Sequence, residues 1–259
     1  MLYYKKKLIM KSFFISFFIS ISLISSAQET ALLFKEAKNF ELEFKEPEAL
    51  NIYKQIITNE PNNYLALQKT VELTCNVGAR KKSNTDKRLF YESALAYAKR
   101  AIQVDSMNAN SYYLLALVSG KLTEVEDENK KRVALVNDIK TLADKALAIN
   151  PNHGLANFIV GKWHYEMVTL NWFKKLAVKT LYGGLPEPSI EESIKYLEKC
   201  KRLEPYFVLN YLTLAQAYEE NNNVVKKIEV LKQLVRLPKR IFDDITYIEK
   251  GKKMLENEQ

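Results

Sequence analysis

The 259-residue chain is 47% hydrophobic and 27% charged, which excludes an intrinsically disordered protein. Its 7 glycines and 7 prolines are too few for a β-rich fold and suit long helices with short connections. A net charge of +8 does not make a nucleic-acid binder, because that needs a clustered basic face.

The first element is a leader over residues 1–27. Lys5, Lys6, Lys7 and Lys11 give it a positive start, and residues 12–24 (SFFISFFISISLI) are uncharged and mostly apolar. Ser25 and Ala27 are small residues at the positions a signal peptidase requires for a cut after Ala27. The competing reading is a retained anchor, but a membrane-spanning helix needs about 20 apolar residues and this run has 13. No cysteine follows directly to carry a lipid. Removal of the leader would take away four lysines and no acid, leaving +4 on 232 residues. The domain boundaries are therefore 1–27 for the signal and 28–259 for an exported domain, periplasmic or secreted.

The domain repeats one pattern: an apolar helical face, then a stop. It closes at Pro61, Ser106, Pro151, Pro205 and Pro238, at intervals of 45, 45, 54 and 33 residues. Proline pushes the preceding residue out of the α region and so ends each helix. The last interval matches the period of about 34 residues of tetratricopeptide repeats, and the longer ones require insertions. Five aligned stops argue against a generic helical bundle.

Small and bulky residues fall where paired helices must approach and fill. These are Ala37 and Phe40 with Ala49, Tyr53 and Ile56, then Ala94, Ala98 and Ala101. Ala116 is expected to face Ala143 and Ala146, and Gly161 to face Leu197 and Cys200. The fifth unit has Ala215, Tyr218, Leu231 and Leu234. A closing helix over 241–259 carries Ile241, Ile245, Ile248 and Leu255 near helical spacing. The expected fold is thus all-α, a superhelical solenoid of about five hairpins with a capping helix.

The interval before Pro205 holds a long insertion in the fourth hairpin, an extra helix over about 171–181. Its neighbourhood matches a known family at Gly161, Lys162, Trp163, Tyr165, Leu170, Trp172, Lys174, Lys175, Ala177, Leu181, Pro186 and Pro188. The block resembles the regulator of microtubule dynamics family, and the likeness extends over about 28–238. Lys162 stands where that family often has Arg, and Asn171 where it has Ser or Pro. The resemblance implies a helical-repeat fold, no catalytic centre, and interaction roles at organelles or the cytoskeleton. The leader marks an exported relative of bacterial type, which would not meet microtubules, so the named activity is not carried over.

Candidate site residues are few. His153 and His164 lie eleven residues apart, too far for a helical metal pair, and His153 fits a cap. No nucleophile triad, paired-cysteine motif or phosphate loop is present, so neither enzyme chemistry, a cofactor nor a metal is expected. Cys75 and Cys200 are expected as buried, unpaired thiols. Trp163 fits core. Lys162, Trp172, Phe173, Lys174, Lys175 and Tyr182 form the candidate partner-binding set, because aromatics dominate interface hot spots and Lys174 and Lys175 offer a face for an anionic group or for solvent; for Trp172, as for Trp163, core packing is the favoured reading. Arg80, Lys81, Lys82, Lys87 and Arg88, around a loop at Ser83-Asn84-Thr85, read as a solvated helix extension, with a membrane-surface or acidic-partner contact as the rival. The stretch between Leu122 and Arg132 reads as an exposed connection. The function expected is a non-catalytic scaffold for a protein or peptide partner, with a carrier of an apolar ligand such as a lipid as the alternative.

Overall fold

The computed structural model describes residues 28–170 and 186–258, and these form eleven helices with no strand among them. The first hairpin pairs α1 (28–42) with α2 (Glu46–Asn59). The second pairs α3 (Tyr64–Ala79) with α4 (Asn84–Val104), and the third α5 (Ala109–Thr123) with α6 (Asn129–Ile149). The fourth joins α7 (Gly154–Val168) to α8 (Ile190–Leu203), and the fifth α9 (Val208–Glu220) to α10 (Val224–Leu234). α11 (Asp244–Glu256) closes the chain against α9 and α10. The inserted segment of the fourth hairpin, 171–185, and the leader lie outside the described residues.

Every stop read from the sequence lies just past a helix end. After three of them, the fourth residue of the following helix repeats a single device. The side chains of Tyr112, Asn157 and Tyr211, each six residues past a stop, donate to the carbonyls of Ser106, Pro151 and Pro205 at 2.9–3.1 Å. Each turn's free carbonyl is thus satisfied by the helix that follows it. Helix starts are fixed by Asn63, Ser83, Asn108, His153, Ser189 and Asn223, whose side chains accept from backbone N–H groups of the first turn.

The hairpins close on the small residues expected. Ala37, Ala49, Ala94, Ala98, Ala101, Ala116, Ala143, Ala146 and Ala215 are all fully buried. Gly161 sits so close to α8 that a Cβ there would lie 2.8 Å from Leu197 Cγ and 3.1 Å from its backbone nitrogen. Ser193 Oγ adds a bond to the Gly161 carbonyl at 2.8 Å. Trp163 is core, 2% exposed, with Nε1 donating to the Val136 carbonyl at 3.0 Å.

Four expectations are corrected. The first two intervals, of 45 residues each, do not enlarge loops: they lengthen α4 and α6 to 21 residues each, against 14 in α2 and α8. Ser83 caps α4, so Asn84 and Thr85 are helical. The link after α5 is not wholly exposed either, since it shrinks to Glu124–Glu128 with Val125 only 2% exposed. In the capping helix, Ile248 and Gly251 face the core while Ile245 is exposed and Ile241 precedes the first turn.

Candidate partner-binding groove

The direction of curvature follows from which helices touch. Among the described residues α3, α5, α7 and α9 contact one another in succession, whereas α2, α4, α6, α8 and α10 do not. The first set therefore runs along the shorter, inner arc. Composition agrees: α5, α7 and α9 bury residues on most of their circumference, while α6 buries only Ala143 and Ala146. The inner helices define a concave groove.

At its N-terminal end the groove carries a chain of polar groups. Glu41 of α1 accepts from Tyr53 Oη at 2.5 Å and from Lys69 Nζ at 2.9 Å, and Gln68 Nε2 donates to Glu72 at 3.2 Å. Burial pushes the Glu72 carboxyl up, with Lys69 opposing. Burial works against the charge on Lys69, but Glu72 and Glu41 outweigh it and its pKa rises.

Further in, Tyr113 is 6% exposed and packs on the His153 ring at 5.2 Å between centroids. Burial holds its phenol well above the ordinary value. His153 Nδ1 accepts from Ala156 N–H, which leaves Nε2 to donate to Asn110 Oδ1 at 3.2 Å, so the ring is the neutral tautomer. Cys75 and Cys200 are buried and unpaired, and burial raises Cys75 to about 12, which makes it inert as a nucleophile.

The groove is crossed at one rim by the chain's own closing segment. Asp244 Oδ2 accepts from the backbone nitrogens of Arg240 and Ile241 at 2.7 and 3.0 Å, which fixes the turn before α11. That turn delivers Phe242 and Asp243 to Arg80 at the end of α3, 163 residues away from Asp243 in sequence. Arg80 Nη1 donates to Asp243 Oδ1 at 3.2 Å, and the guanidinium lies 5.1 Å from the Phe242 ring centroid. Its Nη2 holds the buried Glu46 of α2. Arg240 covers Tyr206 at 4.2 Å. At the far end Lys227, 6% exposed, binds Glu219 and Glu258 at 2.5 and 2.6 Å.

The basic cluster at 80–88 is thus not simply solvated. Arg80 bridges two ends of the molecule, Arg88 pairs with Asp127 and Glu126 and donates to the Val125 carbonyl, and Lys81 lies over the Phe90 ring. Of the candidate binding residues, Lys162 stands on α7, paired with Glu166 at 3.2 Å. Trp172, Phe173, Lys174, Lys175 and Tyr182 lie outside the described residues. The Arg80–Asp243 contact was invisible in the sequence, because its partners share no local pattern.

Comparison with known proteins supports this architecture. A thermophilic TPR protein of Thermus thermophilus superposes with a TM-score of 0.62 over 86% of this chain and 99% of its own, at 12% identity, a likeness of fold. Regulator of microtubule dynamics protein 1 of Mus musculus is 28% identical over 148 residues, 55% of this chain and 47% of that protein. Regulator of microtubule dynamics protein 3 of Xenopus laevis is 25% identical over 160 residues, 61% of this chain and 34% of its own length. The chain spans about half the length or less of these relatives. The family described as Regulator of microtubule dynamics protein 1-3 matches residues 33–259, from within α1 through the capping helix, and the protein belongs to that family.

Proposed function

We propose that the protein is a non-catalytic scaffold that holds a segment of a partner protein in its concave groove, and that it does so outside the cytoplasm after loss of residues 1–27. The carrying observation is the inner row of helices, which presents half-buried polar and aromatic side chains along one continuous curved surface. Such surfaces bind extended peptides or helices. The TPR-like fold and the family both favour an interaction role over catalysis. Among the described residues no three His, Cys, Asp or Glu side chains gather as a metal set.

The carrier reading rests on the aromatic segment over 171–185, outside the described residues. A recess of about 470 Å³ along α4 is lined by Asn62, Ala96, Lys99, Arg100, Gln103 and Val104, a polar set unsuited to a lipid chain.

The test is a photoreactive side chain placed at Gln68 in the groove and, separately, at Lys99 on the outer face, with the protein recovered from the extracytoplasmic fraction of its source. The expected result is a mature chain beginning at Gln28 and a defined protein crosslink from position 68 and not from 99. Equal crosslinking from both positions, or a co-purifying lipid with no protein adduct, would overturn the groove reading. Recovery only in the cytoplasm would overturn the export.

A further inference from the structure

The closing segment has two parts held very differently. α11 is anchored on the fifth hairpin by Ile248, 5% exposed, by Gly251 packed against Leu234, and by the Lys227–Glu258 pair. The turn ahead of it is held across the groove by Phe242 and Asp243 against Arg80, where the ring is lightly buried and the carboxylate only partly exposed. The Phe242 residue is 45% exposed, and the Asp243 side chain 21%. The receptor half of this contact is rigid. Arg80 is oriented by its second bond to Glu46, a carboxylate only 3% exposed, so its outer nitrogen and its ring-facing plane stay aimed at the groove whether or not residues 242 and 243 are in place.

A guanidinium that offers one edge to a carboxylate and its face to an aromatic ring selects an aromatic residue beside an acidic one. Resting on the groove reading above, we propose that Arg80 is a docking point for an aromatic–acidic segment of a partner protein, and that Phe242 and Asp243 of this chain are its resident, displaceable occupant. The partner's aromatic residue takes the place of Phe242 on the guanidinium, and its carboxylate takes the place of Asp243 at Nη1. Displacement releases the Phe242 and Asp243 side chains from Arg80, while the turn keeps its Asp244 bonds to Arg240 and Ile241 and α11 its own anchors, so the groove opens at one rim without unfolding the fifth hairpin. The exposed Phe242 ring gives an incoming segment a first foothold. The other basic groups of the neighbourhood are already engaged: Lys69 with Glu41, Lys162 with Glu166, and Lys81 over Phe90.

The test uses a fluorescein-labelled peptide reproducing residues 239–248 (KRIFDDITYI), followed by anisotropy against the full chain and against the Phe242→Ala, Asp243→Asn double variant. Phe242 is exposed and Asp243 partly exposed, and a thermal melt verifies that the variant is folded. The peptide should bind the variant at least tenfold more tightly than the unaltered chain, since the resident competitor is gone. A peptide carrying the same two substitutions should lose that gain, which locates the effect on Arg80 without altering Arg80 itself and stranding Glu46. Equal affinity for both proteins, or binding to neither, would overturn the docking proposal while leaving the position-68 crosslink intact. Absence of that crosslink with the tenfold gain preserved would instead remove the groove reading and keep the Arg80 site.

Discussion

At the scale of single residues, the strongest constraint is contact without slack. Gly161 was legible as a close-approach position from its register opposite Leu197 and Cys200, and the geometry bears this out with a virtual Cβ 3.1 Å from a backbone atom that cannot swing aside. Gly161→Ala should therefore destabilise by about 1–3 kcal/mol, the usual cost of forcing a methyl into a packed core, read as a lower urea midpoint with an unchanged m-value. The histidines carry a second, pH-linked effect. Burial lowers the pKa of both His153 and His164, with Lys140 adding to the effect at His164. Both rings are thus held neutral in the fold, while the unfolded chain takes up protons as pH falls through about 6.5. Stability from these groups is complete above that value and declines as pH drops below it. Glu72, Glu204 and Asp244 act in the opposite sense, because burial raises their carboxyls and acid relieves them. His164→Asn retains an acceptor for the Ser189 N–H, which the ring now meets at 3.2 Å, and should flatten the loss of urea midpoint between pH 7 and about 5.5, the window just below the ordinary histidine value. An unchanged slope would show that His164 takes up its proton alike in the folded and unfolded chain, with no depression by burial.

At the scale of elements, the helix ends were readable, and the beginnings less so, although the cap expected of His153 does start α7. Stops at Pro61, Pro151 and Pro205 act through a local backbone restriction that depends on no distant partner. Starts depend on which of several Ser, Asn or Asp residues turns its side chain inward, and Ser83-Asn84-Thr85 offered two polar residues too many. The choice of Ser83 carries α4 back to Asn84, to where Arg88 reaches the link after α5 and Tyr91 Oη meets Glu124 at 3.0 Å. Ser83 Oγ accepts from Asp86 N–H at 3.0 Å. Its replacement by Ala should cost about 1 kcal/mol, as loss of an N-cap usually does, while Ser83→Asn, which keeps an acceptor for the Asp86 N–H and a donor for the Asp86 carboxylate, should cost little; chemical denaturation of the two variants separates them. The extra residues of the second and third units were correctly seen as insertions. Their placement was not, since an amphipathic run extended at its polar N-terminal end looks the same as a charged loop.

At the scale of the whole molecule, the solenoid class was legible because each hairpin repeats one apolar grammar. Stacking of such units follows from the inability of any one of them to bury its face alone. The curvature was not legible in detail. It emerges from the relative bulk of inner and outer helix contacts, summed over five hairpins, and no residue announces it. The consequence is that Arg80 and Asp243 meet although nothing near either position in sequence prepares the encounter. The candidate binding set chosen from the inserted aromatic segment has only Lys162 among the described residues, and there it is an i,i+4 partner of Glu166.

A stack of repeats has two free ends, and its outermost units ordinarily open first because each has a neighbour on one side only. The Arg80 bridge gives this stack the topology of a bracelet with a clasp. Opening of the last unit and opening of the early ones become correlated events across the circle, although the units between them have not moved. A displacing segment at the clasp would accordingly be felt as fraying at both termini together, which turns a contact between three side chains into a report on the state of the entire arc.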